Sequence, residues 1–200
     1  FGSLRVFAPL DLVAGGTWMG VNELGLLVAI TNRFQPGDPS NSQGKLSRGL
    51  LVQRALSLEN ARQAVDAISA IKANSYNGFH LVMADTSSAW IVWSDGDELH
   101  RKELQPGVHI VTERSFGAAP SYREEQLLLE AQRFAESPSP PLTALEESLR
   151  THRSEAMDST CVHLPELNYG TRSASILRFD ETGLRSYRYA PGPPCCNAFA

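Results

Sequence analysis

The stretch from Ala14 to Arg33 constrains this chain most. It reads Ala-Gly-Gly-Thr-Trp-Met-Gly-Val-Asn over 14–22 and passes through Glu23-Leu24-Gly25 into the apolar run Leu26-Leu27-Val28-Ala29-Ile30. It closes on Thr31-Asn32-Arg33. Trp18 and Val21 favour a strand, Gly25 supplies the positive φ of a tight turn, and the apolar run predicts a second, buried strand. This hairpin leaves an amide and a guanidinium, Asn32 and Arg33, at the end of its second strand. Sheet proteins often place chemistry there; the alternative is a hairpin whose polar ends simply face water.

Residues 34–46, rich in Pro, Gly, Ser and Asn, predict a surface loop. Ser47 predicts a cap for a helix over 48–57. A second helix begins at Leu58, with Ala61, Ala64, Val65, Ala67, Ile68 and Ile71 on one face and Asn60 inside it. Strands are predicted over 79–84, 89–93, 98–102 and 108–111. A helix over 122–135 should bury Leu127, Leu128, Leu129, Ala131 and Phe134. A Pro-rich break at 137–141 then leads into a short helix over 142–149. Strands over 173–179 and 185–189 close the chain. Helices segregated from antiparallel strands indicate an α+β layer fold, and 200 residues suit a single domain spanning 1–200.

The charge balance, 18 basic against 22 acidic residues with no basic block, argues against nucleic acid as a partner. No apolar run approaches the roughly 20 residues of a membrane span. The chain opens on Phe1, which fits a processed or truncated start. An odd set of cysteines, Cys161, Cys195 and Cys196, fits a reducing compartment, so a cytoplasmic address is expected, with an organelle left open for eukaryotic relatives. Cys195-Cys196 read as thiols in a loose tail behind Pro191-Gly192-Pro193-Pro194. Cys161-Val162-His163 puts two metal ligands on one side of a strand. No second pair sits at a recognisable spacing, so no metal site is expected.

No phosphate loop and no Gly-x-Ser-x-Gly elbow is present. Three polar clusters stand out instead: Asn32-Arg33; Ser47-Arg48-Gly49, an anion site or a simple cap at a helix start; and Asn168 to Ser175. In the last, Arg172 followed by small hydroxyl residues leaves room for a carboxylate or carbonyl, or else pairs at a sheet end.

Taken together, Ala14–Asn22, Thr31-Asn32-Arg33, Ser47-Arg48-Gly49, Gly78-Phe79-His80-Leu81 with Ala84-Asp85, and Tyr169-Gly170-Thr171-Arg172-Ser173 resemble the NRDE family. That family is also called the transport and Golgi organisation family. The resemblance implies a four-layer αββα sandwich of the N-terminal-nucleophile hydrolase type, here without its N-terminal strand. Family members begin with a Cys after the initiator Met, followed by an Asn-Arg-Asp-Glu motif, and neither is in this sequence. Phe1 carries no nucleophilic side chain, so the chain as it stands is expected to be inactive as an amidase.

The hairpin is also similar to that of bile-salt hydrolases and penicillin V acylases, which implies an oxyanion role for Asn32. Arg172 matches an arginine that those enzymes place near the nucleophile. Glu113 stands where they carry a second Asn. Asn32 and Arg172 are the expected catalytic residues, converging on one cleft. Thr17, Trp18, Asn22, Glu113 and Tyr169 are the expected ligand-binding residues.

The function implied is intracellular trafficking, including secretory-pathway organisation and haem handling. No cofactor is resident, haem is the candidate ligand, and His80, His109 or His163 would be its axial ligand. Two other functions stand beside it. One is a linear-amide hydrolase using a Cys upstream of Phe1, and the other is an interaction domain with no small-molecule site.

Overall fold

The apolar run after Gly25 becomes an inner strand of an antiparallel sheet. A computed structural model describes residues 2–34, 45–114, 116, 119–137 and 141–200. Most of the expected loop at 34–46 and of the Pro-rich break at 137–141 lies outside the described residues. The chain, expected to be one domain, divides into two compact units. The first comprises 1–106, 111–118 and 181–183; the second comprises 107–110, 119–180 and 184–200.

In the first unit, β1 (Val6–Phe7), β2 (Met19–Asn22), β3 (Leu27–Asn32), β4 (Phe79–Ala84), β5 (Ala89–Ser94) and β6 (Leu99–Leu104) pair in chain order as a six-stranded antiparallel sheet. Register follows the period-two pattern: Val28 faces Met83, Ile30 faces Leu81, and Leu81 faces Val92. Against that face lie α1 (Gly49–Leu56) and α2 (Ala61–Ser69), which bury Leu51, Val52, Ala55, Leu56, Ala64, Val65 and Ile68. Each fully buried aliphatic side chain contributes about 1.5–3 kcal/mol. The alternate positions His80 and Ile91 are also completely buried, so β4 and β5 are covered on both faces.

The helix starts differ from the sequence expectation. Ser47 does not cap α1; Arg48 holds the cap position without a side-chain bond. Asn60, expected inside the second helix, is its cap: it accepts from Gln63 N at 2.9 Å. Asp85 adds a second anchor there, accepting from Ala61 N at 2.7 Å while its other oxygen takes the amides of Ser87 and Ser88. No strand forms over 108–111. Residues 107–110 belong to the second unit and 111–118 to the first, so the segment has no continuous ladder partner.

The second unit holds α3 (Tyr122–Ala135), α4 (Leu142–Leu149), a short hairpin β7 (His163–Leu164) and β8 (Tyr169–Gly170), and a pair β9 (Ala174–Asp180) and β10 (Gly183–Ala190) whose first turn counts with the first unit. A capping box starts α3: Ser121 Oγ accepts from Glu124 N, and Ser121 N donates to Glu124 Oε2. Leu128 and Leu129, expected to be buried, are exposed. Three consecutive leucines span some 200° of a helix and cannot all face inward.

The core of this unit is Ile176, Ala190 and Phe199 packed by Leu142, Leu145 and Leu149 of α4. The C-terminal segment is therefore not the loose tail expected. Tyr189 and Ala200 exchange two backbone bonds, at 3.0 and 3.1 Å, and Phe199 is buried.

The turn between β5 and β6 yields a test. Asp95 accepts from the amides of Glu98 (2.9 Å) and Asp97 (3.2 Å) and meets His100 Nε2 at 2.7 Å. The Glu98 amide first, then His100, lower its carboxyl from 3.8 to about 2. A depressed folded pKa contributes stability that is present above the unfolded value and is lost as pH falls through the folded one. Asp95→Asn should therefore lower stability at neutral pH by about 1 kcal/mol, discounted because a third of the side chain is in water. Its deficit against wild type should close between about pH 4 and pH 2 in urea melts.

Candidate functional site

The site begins with two glycines that touch. A Cβ built on Gly16 would sit 2.9 Å from Gly49 Cα, and one on Gly49 would sit 3.0 Å from both Gly16 Cα and Thr17 N. Only two bare backbones let the start of α1 abut the segment entering β2. Further bonds fix the segments around them. Gln53 Nε2 donates to Gly15 O at 2.9 Å, and the 11–16 loop closes through Asp11 N to Gly16 O at 2.8 Å. Asp11 Oδ1 accepts from Val13 N and Ala14 N, and these bonds hold its carboxyl below the ordinary range.

Beside this contact lies a cavity of about 350 Å³ lined by Asp11, Gly16, Thr17, Trp18, Ile30, Asn32, Lys45, Leu46, Ser47, Arg48, Gly49 and Asn77. Three motifs far apart in sequence meet there: Gly16-Thr17-Trp18, Asn32, and Ser47-Arg48-Gly49. Trp18 is 43% exposed and offers an aromatic face. Asn32, at the end of β3, is exposed. Arg48 Nη1 donates to Gly78 O at 3.0 Å, and Lys45 Nζ donates to Asn74 O. Thr17 is buried, its hydroxyl donating to Met19 O at 2.8 Å, so it shapes the wall. The lining thus combines two cations, one carboxylate, two amides and an apolar patch, a set suited to a small amphipathic molecule with an anionic or carbonyl end.

The family described as Transport and Golgi organisation 2 matches residues 3–188. The chain belongs to that family. It is 30% identical over 221 residues to the Transport and Golgi organization protein 2 homolog of Bos taurus, covering 90% of this chain and 74% of the relative. It is 29% identical over 219 residues to the homolog of Homo sapiens, with the same coverage. Among solved structures, penicillin V acylase from Agrobacterium tumefaciens matches with a TM-score of 0.54 and 17% identity, over 95% of this chain and 67% of that one. That likeness is one of fold, and the fold of this family member is the N-terminal-nucleophile hydrolase type, as the sequence resemblance implied.

The family motifs separate into those that line the cavity and those that build the frame. Thr17, Trp18 and Asn32 are at the cavity. Asn22 is not. It is buried, donates to Leu56 O and Leu58 O, and accepts from Leu24 N and Leu26 N, clamping the β2–β3 turn to the end of α1. Glu113 lies beside the end of β3, its carbonyl accepting from Phe34 N at 2.7 Å, and is not among the lining residues.

Tyr169 and Arg172 belong to the second unit, where they line a separate cavity of about 180 Å³ with His163 and Asn168. Gly78 is a frame residue: a Cβ there would meet Arg33 O at 2.8 Å, and its carbonyl receives both Arg33 N and Arg48. Asp11, Lys45 and Asn77 were missed in the sequence. Asp11 precedes the Gly15-Gly16 turn by a few residues, but nothing in its spacing marks it as part of a wall.

The three histidines expected as candidate haem ligands stand in different surroundings. His80 is fully buried in the first unit's sheet, His109 is exposed on a segment without regular structure, and His163 sits among cysteine side chains. The 350 Å³ cavity and one of about 570 Å³ between α3 and α4 have no His, Cys, Met or Tyr among their described lining residues, whereas the 180 Å³ cavity has His163 and Tyr169.

Two substitutions test this construction. Asn22→Leu removes the side-chain partner of four backbone groups, two buried and two part-buried, and should cost about 2–4 kcal/mol, read by urea unfolding, without being a ligand contact. Gly49→Ala must push α1 off Gly16 and should cost about 1–3 kcal/mol, whereas Gly107→Ala, which meets nothing within 4 Å, should lose only what its positive φ demands.

Proposed function

We propose that this family member acts in intracellular trafficking, in the organisation of the secretory pathway, by binding a small amphipathic anion in the cavity of its first unit. The names of the bovine and human relatives point to the transport role. The observation that carries the ligand reading is the convergence of Trp18, Asn32 and Arg48 from three separate motifs on one cavity. An anionic end would sit toward Arg48 and Lys45, and a flat apolar body against Trp18, Ile30 and Leu46. Haem, with a planar body and two propionates, is the ligand we put forward, held by its edge and face without an axial histidine. The set of cysteines with no disulfide among them is in keeping with a cytoplasmic address.

A second reading has its own observation. Asn32 is exposed at a strand end and lines the cavity, so its amide could donate to a developing oxyanion in amide hydrolysis. The nucleophile would have to be a Cys upstream of Phe1.

Haemin titration of the protein, followed by absorbance and tryptophan quenching, tests both. Trp18→Ala and the double variant Lys45→Gln/Arg48→Gln should weaken binding by roughly tenfold each, and His80→Gln and His163→Ala should leave it unchanged. Equal binding by all variants, or loss confined to the histidine variants, overturns the reading. Turnover of N-acyl amides that disappears in Asn32→Leu would favour the hydrolase instead.

A further inference from the structure

His152, the Cys161-Val162-His163 peptide and Cys195 come from three stretches of the chain, yet one ligand atom of each of His152, Cys161, His163 and Cys195 falls within 4.8 Å of the others. All four belong to the second unit. Cys161 Sγ and Cys195 Sγ lie 3.4 and 3.3 Å from His163 Nε2, and the rings of His152 and His163 are 5.2 Å apart. With Zn–S near 2.3 Å and Zn–N near 2.0 Å, the edges of a tetrahedral Cys₂His₂ site are about 3.3–3.8 Å. The two sulfur–nitrogen separations already match those edges. Cys161 is completely buried while the histidines are exposed, so the cluster has a fixed floor and an open entry side.

Each ligand is held by bonds that do not involve its own side chain. Thr171 Oγ1 accepts from Val162 N at 2.9 Å and donates to Thr160 O at 3.2 Å, and Thr171 N donates to Val162 O at 3.0 Å. This fixes the 160–163 segment. Cys161 N donates to Thr151 O at 3.2 Å and Thr160 Oγ1 donates to Ser148 O, which sets the end of α4, and so His152, alongside. Arg150 Nε donates to Pro194 O at 3.0 Å, which brings the C-terminal segment and Cys195 to the same place. Three stretches bonded to one another therefore present four soft or borderline ligands to one point.

We infer that these four residues bind zinc, tying the C-terminal segment to the β7–β8 hairpin and the end of α4. Binding replaces the two thiol protons, which pass to solvent, and the two thiolates balance the ion's 2+ charge to give a neutral Cys₂His₂ centre. Thiolate and imidazole select zinc against magnesium or calcium. Cys196, exposed and 3.3 Å from Cys195 Sγ, stands outside the set of four.

The full chain, kept reduced and stripped with a chelator, is titrated with ZnCl₂ and separately with CoCl₂. The expected result is about one metal per chain, a higher melting temperature with zinc, and the d–d absorption of tetrahedral, thiolate-bound Co²⁺. Cys195→Ser, His152→Ala and His163→Ala should each weaken binding at least roughly tenfold, and Cys196→Ser should bind as wild type. Should Cys161→Ser fail to fold, the exposed histidine variants carry the test. Absence of binding, an octahedral cobalt spectrum, or a Cys161–Cys195 disulfide under these conditions overturns the inference. So does binding lost in Cys196→Ser but retained in both histidine variants, which would mark a simple vicinal dithiol.

Discussion

Two α-carbons in contact, Gly16 and Gly49, set the position of everything around the first unit's cavity. The start of α1 lies on the strand entry because neither residue has a side chain, and that closeness turns Arg48 and Ser47 toward the same space as Trp18. The rest of the wall follows from backbone bonding. Arg33 N and Arg48 Nη1 share the Gly78 carbonyl, which couples the end of β3, the start of α1 and the start of β4. A family signature that reads as five unrelated peptides is, in space, largely a set of close approaches and their hydrogen bonds.

The sequence made the framework legible where periodicity and turn chemistry agreed. The strands at 79–84 and 89–94 and the helices at 122–135 and 142–149 fall where alternation, Asp-Gly turns and proline breaks put them. It was misleading where a tertiary partner decides. The apolar stripe starts before Asn60 and so places it inside the helix, yet its side chain is the cap. Val108–Val111 has a strand-like composition but belongs to no strand among the described residues.

The same limit governs the sites. Trp18 and Asn32 could be chosen from motif and strand position, whereas Asn22, equally conspicuous, is consumed by four backbone partners that no local pattern reveals. The thiol–imidazole cluster has no signature in ligand spacing along the chain. His152 and Cys195 are separated from the Cys161-Val162-His163 peptide by segments that only the fold brings back. The Tyr169–Ser173 signature then acquires a second meaning, since Thr171 secures the peptide that carries two of the four ligands.

Neither unit is a continuous piece of chain: the first recruits 111–118 and 181–183 after the polypeptide has already entered the second. Thr112 and Glu113, which brace the end of β3, therefore emerge from the ribosome well after the strand they brace, and the turn at 181–183 later still. Early on, a nascent chain carries a β3 terminus without its supports. Maturation of the Asn32 end of the cavity thus waits for a segment 81 residues further along the chain.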